Sequence, residues 1–427
     1  MTSRRDLDEW LLYIEGLHPV EIDMGLGRIA TVARRLALDH SAAHVITVAG
    51  TNGKGSTAVA MEQLLLQSGA PAGRCVGTTL SPHIDRFSER IRVQGRMVPD
   101  TLICDAFAAI DVARGSIALT YFEFSALATL WCFQACDVSV MILEIGLGGR
   151  LDAFNLIDAD TAVITSIGLD HQQFLGTDRE QIGAEKAGIL RSGQRVCLGP
   201  DMPGTVLERV RQLDLMPMGI GAQLQVHSAA GGWSLDVTEP DQDRWQTATL
   251  PISGFPVANC ALALAAVWPL LTPDQRRAEG LTRWAAALAL PGRCERRAVQ
   301  GRHWLLDVGH NALAASHLLQ VLRSQTPERT VVAVFGTLAD KPAAAMAQGL
   351  AERVSHWVLV PTQGARGQSA GALAQRLPAL ANVHQAQSVA QGLRLARAMT
   401  TPVDQILVWG SFAVVAEASG YLPAAAL

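Results

Sequence analysis

The chain has 427 residues, 35 basic and 39 acidic, for a net charge of −4. It lacks the basic excess of a nucleic-acid binder, and Gly, Pro or charged residues interrupt every apolar run before it could span a bilayer. The start, Met1-Thr2-Ser3-Arg4-Arg5-Asp6, leads into polar sequence, so no secretory signal is expected.

The seven cysteines, Cys75, Cys104, Cys132, Cys136, Cys197, Cys260 and Cys294, contain no C-x-x-C pair and read as free thiols of a reducing cytosol. Two domains are the expectation for this length.

Residues 5–40 read as helical, broken near His18-Pro19. Within them Ile22-Asp23-Met24-Gly25-Leu26-Gly27 is a loop before an amphipathic stretch (Ile29, Val32, Ala33, Leu36). His44–Ala49 is apolar and β-branched, as a buried strand should be. It runs into Gly50-Thr51-Asn52-Gly53-Lys54-Gly55-Ser56-Thr57, after which Val59, Met61, Leu64 and Leu65 keep helical spacing.

Strand, glycine loop and helix form the layout that holds a phosphate. Glycines let amides turn inward, the helix N-terminus adds partial positive charge, and Lys54 adds a full one. Ser56 or Thr57 can hold magnesium through a hydroxyl. The spelling is compact: two residues separate Gly50 from Gly53, where the common loop has about four, and Gly55 intervenes before Ser56. The competing reading is a glycine-rich turn with no ligand.

A second strand is expected at 73–78, then a polar loop, Thr79–Arg90, containing Ser81-Pro82-His83, then a short strand at Ile91–Val93. Helices are expected at 98–113 and 121–136. The second opens with Thr120-Tyr121-Phe122-Glu123, a capping-box pattern, so cap plus core is the plain account of this aromatic cluster.

Val138–Glu144 is a third strand, ending in a carboxylate just before Gly146-Leu147-Gly148-Gly149-Arg150-Leu151-Asp152. An acid there, in a protein with a phosphate loop, is a usual place for a magnesium-directing carboxylate. A fourth strand, 161–167, ends at Gly168-Leu169-Asp170-His171, and a helix at 178–189 carries Lys186. Lys186 reads either as a surface lysine or as a site lysine that, uncharged, takes up carbon dioxide to give a metal-binding carbamate.

Residues 195–250 read as α/β and then β-rich, with strands at 224–227, 233–237 and 247–250. Helices follow at 255–271, with Asn259 near the start, and at 274–289. Pro291-Gly292-Arg293 marks the expected boundary, giving domains of 1–292 and 293–427. The second domain is expected to repeat βα units on strands at 304–306, 331–335, 357–360 and 405–408. Asp307-Val308-Gly309-His310-Asn311 and Gly410-Ser411-Phe412 sit at strand ends, on the ligand side of a parallel sheet. Ala344–Ala347 reads as helix and Ala424–Ala426 as tail. Ser56, Ser81, Glu144 and His171 all follow strands and can converge on metal, which suits a reaction where ATP activates one substrate and another attacks.

These motifs, in this order, resemble the bifunctional dihydrofolate synthase/folylpolyglutamate synthase family, relatives of the Mur ligases. The resemblance rests on the 48–57 loop, Ser81-Pro82-His83, Leu119–Glu123, Leu143–Asp152, Thr165–His171, Glu185–Ile189, Pro291–Arg293 and Asp307–Asn311, and spans nearly the whole chain.

It implies an α/β fold of two domains, a P-loop NTPase-like Mur-ligase central domain and a smaller Rossmann-like domain. It implies ATP and two magnesium ions as cofactors: Asn52, Gly53, Lys54, Gly55, Ser56 and Thr57 at the phosphates, and Asn259, Arg293 and Asp307 at the nucleotide. Ser56, Ser81, Glu144, His171 and a carbamoylated Lys186 match the metal ligands. Asp23, Met24, Gly25 and Leu26, Thr120, Tyr121, Phe122 and Glu123, and Leu151, Asp152 and Ala153 match segments that hold the pterin. His310 and Ser411 match positions near the incoming glutamate.

The implied reaction joins L-glutamate to dihydropteroate and to reduced folates through an acyl phosphate, with Lys54, Lys186 and His310 as catalytic residues. A cytoplasmic monomer is expected. The alternatives are a Mur-type amino-acid ligase acting on another carboxylate, and a nucleotide-binding regulatory protein without ligation. Ala312 departs from the family, which usually has proline there.

Overall fold

The computed structural model describes residues 5–20, 22–67, 73–229, 231–325 and 329–423. Residues 1–4 and the tail expected at 424–426 lie outside the described residues. The chain divides into two compact units, 1–288 and 289–427.

The first unit is built on β1 (His44–Ala49), β2 (Val76–Thr79), β3 (Ile91–Val93), β4 (Arg96–Met97), β5 (Val140–Glu144), β6 (Thr161–Ile164), β7 (Arg195–Leu198) and β8 (Met218–Gly219). They form one sheet in the order β4-β3-β2-β5-β1-β6-β7-β8. All neighbours pair in parallel except β3 and β4, which are antiparallel at one edge. From Val45 onward β1 is wholly buried. A parallel strand covered on both faces needs that uninterrupted apolar run.

Register aligns the strand tips: Val48 lies opposite Glu144, Ala49 opposite Ile164, and Thr79 opposite Leu143. The loops after β2, β5, β1 and β6 therefore leave the sheet side by side. After β5 the chain crosses β1 to build β6, and loops diverge at such a crossing to leave a crevice for ligand.

The helix Lys54–Leu66 behind the glycine loop is buried around most of its circumference, so it is apolar nearly all round and not amphipathic. Its one buried acid, Glu62, is met by Arg92 at 2.8 Å. Later chain covers it: Trp284 Nε1 donates to the Ala60 carbonyl at 2.9 Å and Gln275 Nε2 to the Leu64 carbonyl at 3.2 Å.

Four corrections to the expected elements have local causes. The fourth strand stops at Ile164, because the Thr165 hydroxyl turns to the Asn52 carbonyl at 2.6 Å. The helix after 255 runs Val257–Val267 and tightens into a 3₁₀ turn at Trp268–Leu270, where Pro269 removes an amide donor. The next helix begins at Ala278, since Gln275 Oε1 accepts the Thr272 amide at 3.0 Å and closes a turn first.

The β-rich patch is an antiparallel sheet of β9 (Leu224–Ala229), β10 (Gly232–Thr238), β11 (Arg244–Gln246) and β12 (Leu250–Pro251). The single strand expected at 247–250 is split because the Thr247 hydroxyl takes the Leu235 amide at 3.0 Å, the place of a ladder carbonyl.

The second unit holds β13 (Glu295–Val299), β14 (Arg302–Asp307), β15 (Val331–Phe335), β16 (His356–Leu359), β17 (Val383–Gln385) and β18 (Gln405–Trp409), ordered β13-β14-β18-β15-β16-β17. The four buried parallel strands match the expected ones within a few residues. The two edge strands, Glu-Arg-Arg-Ala-Val and Val-His-Gln, escaped notice because an edge is half exposed and favours charge.

Candidate active site

The glycine loop is shaped by two steric demands. Gly53 caps the helix Lys54–Leu66 with φ of 88°, and a Cβ there would sit 2.6 Å from the Asn259 side chain. At Gly50 a Cβ would meet Thr165 Oγ1 at 1.9 Å.

The chain after β6 buttresses the loop. The Thr51 amide donates to the Ser166 carbonyl at 2.7 Å, and the Asn52 amide to Ser166 Oγ at 3.1 Å. At the helix start, Asn259 Nδ2 donates to Ser56 Oγ at 3.0 Å, which in turn donates to the Gly53 carbonyl at 3.1 Å. The neighbouring Thr57 Oγ1 is buried with no hydrogen-bond partner.

Two lysines meet at this loop. Lys54 Nζ donates to the Gly50 carbonyl at 3.1 Å and to the Thr51 carbonyl at 3.3 Å. Lys186, on the helix Arg179–Ala187, reaches the same Gly50 oxygen at 2.9 Å and is only 4% exposed. Burial first, and the charge of Lys54 second, bring its pKa down to about 7, against the pull of Asp170 and Asp152. A buried lysine that readily loses its proton is not the surface lysine of the plainer reading.

Glu144, 2% exposed at the tip of β5, accepts the Ser81 amide at 2.8 Å. His171 has φ of 50° and caps the short helix Gln172–Leu175, and its amide donates to Asp170 Oδ1 at 2.9 Å. Among the described residues no three His, Cys, Asp or Glu side chains gather closely enough to hold a metal by themselves. The expected donors are one carboxylate, one imidazole and hydroxyls, and Thr57 Oγ1 beside them is buried without a partner. That set fits magnesium, which takes few protein oxygens and completes its shell with phosphate and water.

The three segments matched to the pterin are tied together. Asp23 pairs with Arg28 at 2.6 Å and with His18 at 3.4 Å, and Arg28 reaches Glu123 at 3.3 Å. Thr120 and Glu123 form the reciprocal capping box, at 2.8 and 3.2 Å. The Phe122 ring lies against Gly146, where a Cβ would come within 2.4 Å, and edge-on to Phe154 at 5.8 Å. Met24 and Leu26 pack at the edge of the same core, and Ala153 is buried in it.

Asp152 Oδ2 accepts the Gly146 and Leu147 amides, each at 2.9 Å, and Oδ1 accepts Phe154 at 3.0 Å. Complete burial nevertheless raises its pKa to about 6. Its side chain thus shapes the glycine turn after β5.

In the second unit, Asp307 at the end of β14 accepts the Cys294 amide at 2.9 Å and the Gly309 amide at 2.8 Å. The Arg293 guanidinium lies 5.1 Å from the Phe412 ring, and the His310 ring 6.1 Å from it. Ser411 caps the helix Phe412–Tyr421, accepting the Val414 amide at 3.2 Å. Asp307 lies opposite Trp409 in register, so the two strand ends that carry these residues are neighbours.

A curated relative from Escherichia coli, dihydrofolate synthase/folylpolyglutamate synthase, is 41% identical over 418 residues, 96% of this chain and 94% of that protein. The chain belongs to the dihydrofolate synthase/folylpolyglutamate synthase family. A Haemophilus influenzae member is 38% identical over 96% of both chains. The Escherichia coli FolC structure in complex with DHPP and ADP superposes with a TM-score of 0.89 at 38% identity, covering 98% of this chain and 97% of that one. The Yersinia pestis enzyme complexed with AMPPNP and Mn ion gives 0.87 at 40% identity, covering 98% of both. The family model described as Mur ligase, glutamate ligase domain matches residues 292–412.

Sequence reading assigned no role to Arg28, to Arg90 in the 79–90 loop, or to Thr165 and Ser166 within the 165–171 motif. Arg28 sits five residues after Asp23 and could have been paired with it. Arg90 donates to His83, seven residues back, across a turn whose closure the sequence does not show. Thr165 and Ser166 bond to Asn52 more than a hundred positions away and carried only the hint of polar residues at a strand end.

Proposed function

We propose that this ATP-dependent ligase joins L-glutamate to dihydropteroate and to reduced folates, with the residues of the first unit holding ATP and the pterin. The observation that carries the reading is the meeting of Lys54 and Lys186 at Gly50, on a loop whose shape depends on glycine and which lies one strand from Glu144. Relatives observed with ADP, with AMPPNP and Mn ion, and with L-glutamate support the same ligand classes here.

A carboxylate oxygen of the folate-side substrate bonds to the γ-phosphorus as its bond to the β–γ bridging oxygen breaks, releasing ADP. Lys54 and the loop amides hold the phosphates in line. Ser56, Ser81, Glu144, His171 and Lys186 would hold magnesium, which when bound neutralises charge on the phosphoryl group. The glutamate amine then bonds to the acyl carbon, gives up a proton, and inorganic phosphate leaves. Arg293, Asp307, His310 and Ser411 of the second unit are assigned to nucleotide and glutamate, and Phe122 with the 23–26 and 151–153 segments to the pterin. Lys186 is proposed to carry a carbamate: its neutral amine bonds to carbon dioxide and releases one proton.

The family assignment favours this over a Mur-type ligase acting on another carboxylate. Small molecules are the substrates, and among the described residues no helix is long and apolar enough to cross a membrane. The seven unpaired cysteines suit a reducing cytoplasm, and we assign a monomer, checked by light scattering at working concentration.

The deciding assay gives purified protein ATP, labelled glutamate, and dihydropteroate or tetrahydrofolate in separate tubes. Label entering both products is the expected result. ATP binding with no incorporation into either would overturn the reading in favour of a nucleotide-binding regulator.

A further inference from the structure

Arg90 lies just before β3, opposite Leu80, whose amide donates to the Arg90 carbonyl at 3.1 Å. It is therefore next to Ser81, and the Ser81 amide is bonded to Glu144. The loop between is built to fix it. Glu89 takes the amides of Ile84, Asp85 and Arg86, each at 2.8 Å, so its carboxylate closes the loop and is not the partner of Arg90. The guanidinium lies 5.6 Å from the ring centroid of Phe87 and 5.6 Å from that of Tyr121.

A guanidinium has five N–H donors. Among the described residues Arg90 uses one, Nε to His83 Nδ1 at 2.8 Å, and no carboxylate forms an ion pair with it. Here the terminal fork of Nη1 and Nη2 is left open, on a side chain held by two rings and one hydrogen bond.

The sheet order says which strand ends neighbour Arg90. Arg90 enters from β3, Ser81 from β2, Glu144 from β5 and the phosphate loop from β1, which are consecutive neighbours. Three strand spacings, roughly 14 Å, separate the Arg90 backbone from the phosphate loop. Glu144 lies between them, and Tyr121 belongs to the 120–123 segment assigned to the pterin.

We propose that Arg90 receives the reacting carboxylate of the folate-side substrate, its two terminal nitrogens matching the two carboxylate oxygens. The planar fork suits that anion better than an ammonium would. It holds the carboxylate on the far side of Glu144 from Lys54, facing the γ-phosphate. This rests on the ligase reading above.

The test uses full-length Arg90→Gln and Arg90→Lys with two binding readouts besides turnover: ADP affinity, and the affinity of the ADP complex for dihydropteroate against its carboxamide. Arg90→Gln is expected to raise the KM for dihydropteroate and tetrahydrofolate roughly 10- to 100-fold, to leave ADP affinity unchanged, and to erase the preference for acid over amide.

A variant that keeps the acid preference overturns the proposal. So does one that loses ADP affinity while still folded, which would place Arg90 on the phosphates. Should Arg90→Gln fail to fold, Arg90→Lys decides: it is expected to bind ADP normally with a weakened acid preference, and a wild-type preference there refutes the two-nitrogen match. Failure of the ligase reading looks different, since wild-type protein would then incorporate no glutamate, while the acid-against-amide comparison still reports on Arg90.

Discussion

Lys54 and Lys186 converge on one carbonyl oxygen, that of Gly50, at 3.1 and 2.9 Å. Burial first, and the charge of Lys54 second, bring the Lys186 pKa down to about 7. Lys54→Ala removes the amine proposed to hold the phosphates. Glutamate ligation should fall at least about 100-fold while the thermal unfolding midpoint stays near wild type. Full activity in that variant would remove ATP from the assignment of this loop.

Lys186 supplies a second test. Activity of carbonate-stripped protein should rise on adding bicarbonate, and Lys186→Ala should be inactive but partly restored by a short carboxylic acid such as acetate. A mass spectrum and a bicarbonate titration that show neither adduct nor response would leave Lys186 as a simple amine.

Gly53→Ala tests the loop's shape. The new methyl group would press on the Asn259 side chain in a left-handed backbone position, at a cost of roughly 1–3 kcal/mol. ADP affinity should drop, and Asn259→Ala in the same chain should recover the steric part only. Strict additivity of the two changes, measured by calorimetry, would show that they do not meet.

Gly146→Ala acts on the other substrate. Its methyl group would enter the space of the Phe122 ring, 2.4 Å away. The KM for dihydropteroate should rise while that for ATP holds. An equal rise in both would mean that Gly146 serves the strand end and not the pterin.

His40 and His44 predict a pH dependence of stability. Burial lowers the pKa of both, only partly offset by Asp39 and Asp160. The unfolded chain then takes up protons at a higher pH than the folded chain. Stability is therefore complete at neutral pH and is lost as pH falls below about 6.5. Thermal midpoints from about pH 7.5 down to about 5.5 should decline, and less steeply for the His40→Gln, His44→Gln double variant. An unchanged slope would assign the decline to other groups.

Much of the site was legible before the structure because it follows a local rule. A buried strand that ends in a polar residue can be read off the chain, so Glu144 and the glycine loop after β1 stood out, as did the capping box at Thr120 and Glu123. Arg28 did not, because its second partner is set by packing: besides Asp23 it reaches Glu123, 95 positions after Arg28 itself. Ser411 was placed correctly at a strand end, but its hydroxyl proved to cap the next helix.

The sequence by itself determined where β1 turns into the helix Lys54–Leu66 and that the turn needs glycine, since β-branched runs and glycine conformations are properties of short segments. It could not determine that Lys186 is buried. That took folding, which carries the lysine 136 positions back to Gly50, away from water and against a second positive charge. Solvent exclusion and charge proximity are tertiary quantities, and they are what lower the pKa of an otherwise ordinary helical lysine.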